Sequence, residues 1–271
     1  MKGTLLALFI LSAITKGPAQ SVRQPVAVIY PSLLTYSMKE KDAFSFRANT
    51  ASLAGIASFS AGVFSERRFL MEELSSYSLA MAVPTSSGNF GLTSDVFGSS
   101  LLREMTLGIS YARQLGNKLD VGLRFNYVGL TTAGYGSAST VTFDGGVLVQ
   151  LADKVQVGAH VSNPVRMKLG KEGEERLPAI FSVGLGYDAS EQLFLGTEIQ
   201  KTEDQPVSVN AGLQYTFAER LIARAGISSA TSVYYFGFGV RLKNLRVDAT
   251  ASFHPYMGVT PGLLLIYNRP K

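Results

Sequence analysis

The segment YARQLGNKLDVGLRFNY, from Tyr111 to Tyr127, shows the pattern on which the fold of the chain rests. It contains two runs in which apolar and polar residues alternate, and the residues Gly-Asn-Lys at 116–118 separate them. In the second run one face carries Leu119, Val121, Leu123, Phe125 and Tyr127, and the other carries Asp120, Gly122, Arg124 and Asn126. Such alternation is typical of a strand with one apolar face, and the short polar break is typical of a hairpin turn. The stretch therefore predicts an antiparallel hairpin whose apolar face meets either a protein core or lipid.

The same hairpin pattern recurs along the chain after residue 57. Further examples are 147–161, 185–199, 213–227 and 239–253. The alternation predicts fourteen strands, near 57–65, 76–84, 88–97, 104–114, 118–130, 139–151, 154–164, 178–188, 192–202, 205–217, 219–229, 231–242, 244–253 and 258–268. The spacing between turns varies too much for a solenoid or a propeller, so we expect an all-β, up-and-down antiparallel meander.

Strand length and loop length together favour a transmembrane barrel. A tilted strand needs about ten residues to cross a bilayer, and single-chain bacterial barrels have an even number of strands. The connections after even-numbered strands are short, whereas those after odd-numbered strands include the longer segments 66–76, 98–104, 131–139 and 163–178. Short turns on the periplasmic rim and longer loops on the other rim are typical of outer-membrane barrels. The alternative is a soluble, secreted, β-rich binding protein.

The first 56 residues differ from the rest of the chain. Lys2 is followed by the apolar run Leu5–Ile14, and small residues at Gly17 and Ala19 precede Gln20. This layout predicts a cleaved signal peptide over residues 1–19, because the apolar run is too short to span a membrane as a helix. Alternation is poor between 20 and 56, which predicts an N-terminal segment that packs against the main domain, and the barrel is expected over 57–271.

Composition narrows the classes of function. Hydrophobic residues make up 46% of the chain and charged residues 17%, which is low for a soluble domain. The formal charge is +5, but lysine and arginine are scattered, so the clustered basic surface that nucleic-acid binding needs is missing from the sequence. There is no cysteine, which excludes disulfides, thiolate metal ligands and cysteine nucleophiles.

Polar side chains of both signs occupy the faces opposite the apolar ones. If the apolar faces meet lipid, these polar faces line the interior of the barrel. The residues predicted to face the lumen include Asp120, Arg124, Asn126, Asp144, His160, Glu198, Arg224, Arg241, Arg246 and Asp248. Glycines interleave with them, which predicts a crowded interior, because a strand that faces water gains nothing from glycine.

The sequence predicts a protein that is not an enzyme. The chain contains only two histidines, His160 and His254, and neither has a carboxylate at the spacing of a metal-binding helix. Glycine pairs such as those in FDGGVL lie inside strands, so they do not form phosphate-binding loops. We therefore expect no catalytic site, no metal and no cofactor. A barrel hydrolase is a further alternative, and the two histidines would be its only candidate bases.

Several segments resemble a known family when they are taken in order. They are YARQLGNKLDVGLRFNY, VSNP (161–164), RLPAIFSVGLGY (176–187), NAGLQY (210–215) and ARAGI (223–227). The chain resembles the FadL-like outer-membrane barrels, and among them the PorV/PorQ-type proteins associated with type IX secretion. The resemblance covers about 43–268 and implies a fourteen-stranded barrel with an N-terminal plug. The family's NPA-like plug motif corresponds here to Asn49, Thr50 and Ala51, with threonine in place of proline.

The resemblance implies two functions for a non-enzymatic barrel in the bacterial outer membrane. One is transport of small hydrophobic molecules, and the other is that of an accessory subunit of surface protein export by type IX secretion. The expected partners are outer-membrane lipid and either a hydrophobic small molecule or a larger secretion complex.

Overall fold

A single closed sheet forms the body of the molecule. The structure, a computed structural model, describes residues 33–170, 176–230 and 232–269. Each strand is antiparallel to its neighbours in the chain, and β1 pairs with β14 to close the barrel. The strands are β1 (Ser60–Arg67), β2 (Ser75–Thr85), β3 (Gly88–Gly98), β4 (Leu102–Leu115), β5 (Leu119–Thr132), β6 (Gly136–Ala152), β7 (Val155–Ser162), β8 (Ile180–Asp188), β9 (Leu193–Thr202), β10 (Val207–Phe217), β11 (Leu221–Ser228), β12 (Val233–Leu242), β13 (Leu245–His254) and β14 (Gly258–Asn268).

The prediction of a fourteen-stranded, up-and-down barrel is confirmed. The opening hairpin is β4 and β5, in register from Leu115 opposite Leu119 to Leu102 opposite Thr132. Its turn begins at Gly116, whose φ of +66° is the left-handed conformation that glycine adopts without strain. The predicted signal peptide and residues 20–32 lie outside the described residues.

The connections follow the predicted asymmetry only in part. All connections after even-numbered strands are short, and we call that end of the barrel the turn end and the opposite one the loop end. The connections 68–74 and 163–179 at the loop end are long, as predicted. The loops predicted at 98–104 and 131–139 are largely wrong, because β4, β5 and β6 extend into them and reach 14, 14 and 17 residues.

An apolar surface surrounds the barrel. Side chains that point outward on strand after strand are large, apolar and exposed, and examples are Val63, Leu92, Ile109, Phe125, Val141, Val183, Ile199, Leu213, Phe236 and Leu263. A soluble monomer rarely exposes a contiguous apolar patch larger than a few hundred Å². Lipid is the solvent that such a surface fits, so the barrel is transmembrane. Within the described ranges, no helix is long and apolar enough to cross a membrane.

Residues 33–56 lie inside the barrel, and we call them the plug. The plug consists of a 3₁₀ turn (Leu33–Tyr36), one turn of α-helix (Ser45–Ala48) and a second 3₁₀ turn (Thr50–Gly55). It packs against the inward faces of the strands near the turn end, and most of its side chains are fully buried. Helices this short are not stable alone, so the conformation of the plug depends on its contacts with the barrel wall.

One side of the interior is apolar, which the sequence did not suggest. Phe44, Phe46 and Leu53 of the plug are buried in a single cluster with wall residues Phe64, Ala80, Ala82, Ala112, Leu264 and Ile266. The alanines on β2 and β4 leave room for the two phenylalanine rings. Fully burying one such side chain contributes about 1.5–3 kcal/mol, so this cluster is a main source of the plug's stability inside the barrel.

Candidate functional site

The stretch Asn49-Thr50-Ala51, which the sequence singled out as a plug motif, contacts the barrel wall through polar groups. The Asn49 side-chain amide donates hydrogen bonds to a backbone carbonyl of β6 and to one of β7, both at 3.1 Å. Its oxygen accepts a hydrogen bond from the backbone N–H of Ala51, which caps the second 3₁₀ turn of the plug. The Thr50 hydroxyl donates to the carbonyl of Gly122 on β5 at 2.9 Å. Residues of this motif therefore join the plug to three neighbouring strands.

Inward glycines let the plug approach the wall this closely. A Cβ atom at Gly122 would lie 2.5 Å from the carbonyl carbon of Thr50, and one at Gly146 would lie 2.1 Å from Oδ1 of Asn49. Real Cβ atoms do not come so near to other heavy atoms. The wall is thus shaped to receive the plug motif, and any side chain at these positions would push the plug away.

Tyr36 anchors the other end of the plug in the same manner. Its ring lies against Gly184, where an added Cβ would be 2.2 Å from Cζ. Its hydroxyl donates a hydrogen bond to Oε2 of Glu198 at 2.7 Å. Burial raises the pKa of the Tyr36 phenol well above its usual range, and the nearby Glu198 carboxylate raises it further. The phenol therefore stays protonated and remains a donor.

Charged contacts hold the plug at the turn end. Asp188, the last residue of β8, accepts hydrogen bonds from the Ser37 hydroxyl at 2.8 Å and from the Met38 N–H at 2.9 Å. Lys41 lies 3.5 Å from Asp120 on β5. Burial lowers the pKa of the Lys41 ammonium, and the Asp120 carboxylate opposes that shift.

A chain of buried ion pairs links the plug to the far wall. Arg246 donates to Asp42 of the plug at 2.7 Å and to Asp248 at 3.1 Å. Asp248 also accepts from Arg224 at 2.6 Å. All four side chains are nearly inaccessible to solvent. Burying charged groups is costly even when each is paired. These ion pairs therefore fix the position of Asp42 and add little net stability.

Above the plug, towards the loop end, lies a cavity of about 320 Å³. Its floor is formed by Phe44, Arg47 and Ala48 of the plug, and its wall by the inward residues of β3 to β11. Most lining residues are charged, amide or hydroxyl side chains, including Asp95, Arg124, Asp144, His160, Glu198 and Asn210. A pocket of this size can hold a small molecule.

Two ion pairs organise the polar wall of the cavity. Arg124 donates to Oδ2 of Asp144 from both Nε (2.8 Å) and Nη2 (2.6 Å), and Asn126 and Ser162 also donate to this carboxylate. Arg47, which rises from the plug, pairs with Asp95 on β3 at 2.6 Å. The floor and the wall of the cavity are therefore connected by charge as well as by packing.

Three groups in the cavity keep unused hydrogen-bonding or charge capacity. Nε2 of His160 and Nη1 of Arg47 are buried and have no hydrogen-bond partner in the described part of the chain. Glu198 accepts hydrogen bonds from Tyr36 and Asn210. Within ranges 33–170, 176–230 and 232–269, it forms no ion pair with an arginine or lysine.

The connection between β1 and β2 folds across the loop end. The backbone N–H of Phe69 donates to the hydroxyl of Thr260, an inward residue of β14, at 3.1 Å. The Arg68 guanidinium lies over the ring of Phe97, which lines the cavity. Phe69 and Leu70 both adopt positive φ, of 55° and 61°, which is strained for residues of this size. This connection thus borders the mouth of the cavity.

The residues that the sequence selected as lumen-facing fall into separate groups. Arg124, Asn126, Asp144, His160 and Glu198 line the cavity, whereas Arg224, Arg246 and Asp248 belong to the ion-pair chain below it. Asp120 pairs with the plug at the turn end, and Arg241 pairs with Glu40 near the barrel's edge.

His254, the other candidate base of a hydrolase, lies at the end of β13. Its Nδ1 accepts hydrogen bonds from the backbone of the turn that follows, at 3.2 Å from Tyr256 and 3.1 Å from Met257. Its ring also packs against Phe69. These contacts give the imidazole a structural role in the turn.

Sequence reasoning missed the plug residues that complete the site. Arg47 and Tyr36 supply a charge and a hydroxyl to the cavity region, and Asp42 ends the ion-pair chain. Because the plug lacks regular alternation, no periodicity shows which of its side chains point at the wall. The charged cluster at 38–42 was a signal for polar contacts, but it did not specify their partners.

No protein-family model matches the chain. No curated protein matches it in sequence.

Solved structures do share the fold. A Pseudomonas aeruginosa FadL homologue is 12% identical, with a TM-score of 0.66, 86% of this chain covered and 95% of the other. The Pseudomonas putida toluene transporter TodX is 13% identical, with a TM-score of 0.64, 88% of this chain covered and 97% of the other. A deltaS2S3 mutant of TodX, described as a monoaromatic hydrocarbon channel, is 12% identical with a TM-score of 0.65, and 89% and 98% of the two chains are covered. At these identities the likeness establishes a FadL-type barrel fold.

Proposed function

We propose that the chain is a transporter of the bacterial outer membrane. Small molecules bind in its cavity and pass on towards the periplasm when the plug moves. The observation that carries the proposal is the cavity of about 320 Å³ placed directly above the plug. The plug is attached to the wall by side-chain contacts, so it can shift without unfolding the barrel. The turn end would face the periplasm, reached after export through a signal peptide at residues 1–19.

The substrate class in this proposal is small molecules that have a hydrophobic part. Solved proteins of the same fold include one named as a toluene transporter and one named as a monoaromatic hydrocarbon channel. The cavity has an apolar side in Leu177, Pro178 and Ile180, close to the loop end. The proposal includes no catalytic step, no metal and no cofactor.

A second candidate function is that of an accessory subunit for surface protein export, as in type IX secretion. The close fit of the plug favours it, because a firmly closed barrel is suited to serve as a membrane-anchored docking partner. Mild-detergent purification of a tagged chain, followed by mass spectrometry, tests this candidate. Co-purification of a large partner in stoichiometric amount would support it, and a lone barrel with bound small molecule would count against it.

Locking the plug tests the transporter directly. The chain has no cysteine, and the side chains of Ser37 and Asp188 are hydrogen bonded at 2.8 Å. A variant with Ser37→Cys and Asp188→Cys can therefore tie the plug to β8 by a disulfide. We expect uptake of radiolabelled 1-hexanol by cells of an outer-membrane-bearing host to fall to the empty-vector level when the variant is oxidised. Uptake should return on reduction.

A matched control places the disulfide in the wall alone. Leu115 and Leu119 are partners in the β4–β5 hairpin, and a variant with both replaced by cysteine leaves the plug untouched. This control should take up 1-hexanol at the same rate in oxidising and reducing conditions. Equal uptake by the oxidised and reduced plug variant would show that the plug is not a gate and would refute the proposed function.

A further inference from the structure

We infer that the cavity selects an amphipathic molecule that carries an ammonium group, which Glu198 binds, and not a plain hydrocarbon. This inference rests on the proposed function in one respect, since it takes the cavity to be the place where the transported molecule binds.

The pairing of the charged groups around Glu198 points to a cationic ligand. The two arginines that line the cavity are each matched by a carboxylate, Arg47 by Asp95 and Arg124 by Asp144, both at 2.6 Å. Among the residues that the structure describes, the carboxylate of Glu198 receives only the Tyr36 hydroxyl at 2.7 Å and the Asn210 amide at 3.4 Å, which are neutral donors. A buried carboxylate that lacks a cation favours a ligand that supplies one.

Two further atoms indicate a ligand that can form hydrogen bonds. Nε2 of His160 and Nη1 of Arg47 are buried without a partner in the described residues, and both side chains line the cavity. His160 is 8% exposed. Leaving a buried polar group unpaired has a free-energy cost, because the group has lost its hydrogen bonds to water. A ligand that fills these two positions with a hydrogen-bonding oxygen or nitrogen relieves that cost, whereas a hydrocarbon does not.

The apolar residues of the cavity define where the rest of the ligand lies. Leu177, Pro178, Ile180 and Pro206 are grouped near the loop end. Glu198 lies further from the loop end on β9, within reach of the plug through Tyr36. A short carbon chain can thus rest against the apolar group while its ammonium reaches Glu198.

Three probes of equal chain length test this preference. They are 6-amino-1-hexanol, 1,6-hexanediol and 6-hydroxyhexanoate, which share six carbons and one hydroxyl and differ only in an ammonium, a hydroxyl or a carboxylate. The chain contains no tryptophan, so Phe97→Trp at the cavity wall provides a single tryptophan, whose fluorescence can be excited selectively over that of the tyrosines. Binding is measured by fluorescence titration of the full-length, detergent-purified protein that carries this substitution.

We expect 6-amino-1-hexanol to bind about tenfold more tightly than 1,6-hexanediol, because a hydrogen bond to a charged group is stronger than a neutral one. The carboxylate probe should bind most weakly. Glu198→Gln, added to the reporter, should reduce the difference between the amine and the diol to less than about twofold, since glutamine keeps the neutral hydrogen bonds. Glu219→Gln, in an exposed turn outside the cavity, is the matched control and should keep the tenfold preference.

The Phe97→Trp protein is enough to test the inference. Equal binding of the three probes to it, or tighter binding of the carboxylate, would overturn the inference. Preference for the amine that survives Glu198→Gln would overturn the role of Glu198. The proposed function is tested separately. It is refuted if the oxidised and reduced plug variants take up 1-hexanol at the same rate, even when the amine is preferred in the binding test. A gated uptake without amine preference would instead leave the transporter standing and remove only this inference.

Discussion

At the scale of single residues, adjacent glycines on β6 face opposite environments. Gly146 points inward, where a Cβ atom would lie 2.1 Å from Oδ1 of Asn49. Gly145 points outward, and the nearest atom to its Cβ would be Cδ2 of Leu123, at an ordinary contact distance of 3.6 Å. Substitutions at these two positions therefore distinguish the backbone effect of replacing a glycine from the effect of a side chain that collides with the plug.

We predict that Gly146→Ala destabilises the plugged barrel by about 1–3 kcal/mol, because overpacking forces the plug motif away from the wall. Gly145→Ala should have the opposite sign or no effect, since alanine loses less conformational freedom in a strand than glycine does. Unfolding in detergent, followed by the loss of the folded band on gels as temperature rises, measures both. Equal midpoints for the two variants would contradict the close contact between Gly146 and Asn49.

Alternation along a strand was enough to indicate which residues point inward, but not what they contact. Asp144 is an example, since its position on β6 marks it as inward from sequence alone. Its partners Arg124 and Ser162 come from two neighbouring strands, and the register between strands is needed to identify them. For Arg47 even the direction was hidden, because the plug has no periodic pattern.

At the scale of elements, the hydrogen bonds of the plug motif can be removed separately from the apolar cluster that also holds the plug. Asn49→Ala together with Thr50→Val removes the hydrogen bonds to β5, β6 and β7 while keeping the apolar cluster intact. We predict that this variant opens more often, so that channel recordings in planar bilayers show several-fold more conductance events than the unmodified protein.

Ser52 offers a control for this plug prediction. It is buried in the same 3₁₀ turn, but its hydroxyl has no hydrogen-bond partner among the residues that the structure describes. Ser52→Ala should therefore leave the frequency of openings unchanged. If Ser52→Ala and the Asn49/Thr50 variant behave alike, the plug motif does not control closure.

The strands could be predicted closely because most of them obey a period of two and end at recognisable turns. β14 departs from this rule, as its segment LLLIY is apolar on both faces. Leu264 and Ile266 point inward to meet Phe44 and Phe46 of the plug. The apolar side of the interior is therefore a consequence of the plug, and strand periodicity by itself does not predict it. The loops at 98–104 and 131–139 were mispredicted for a different reason, since serine, threonine and glycine, which usually indicate turns, continue the strands there.

At the scale of the whole molecule, the outward surface decides between a membrane barrel and a soluble secreted protein. Phe125 lies midway along β5 and is 63% exposed, and Tyr256 lies in the turn 255–257 and is 93% exposed. Both are aromatic and accessible, but Phe125 is surrounded by the apolar wall and Tyr256 lies beyond the end of the strands. In water, a charged residue would be tolerated equally at both positions.

We predict that Phe125→Arg lowers the free energy of unfolding in lipid vesicles by about 2–4 kcal/mol, the cost of placing arginine at mid-depth in the bilayer. Tyr256→Arg should change it by no more than about 0.5 kcal/mol, because the turn is outside the hydrocarbon region. Denaturant titration of the refolded protein in vesicles gives both values. A soluble barrel would instead fold in buffer without lipid and would show no difference between the two variants. The size of this difference therefore measures whether the apolar wall faces lipid, and the proposed transport function depends on that orientation.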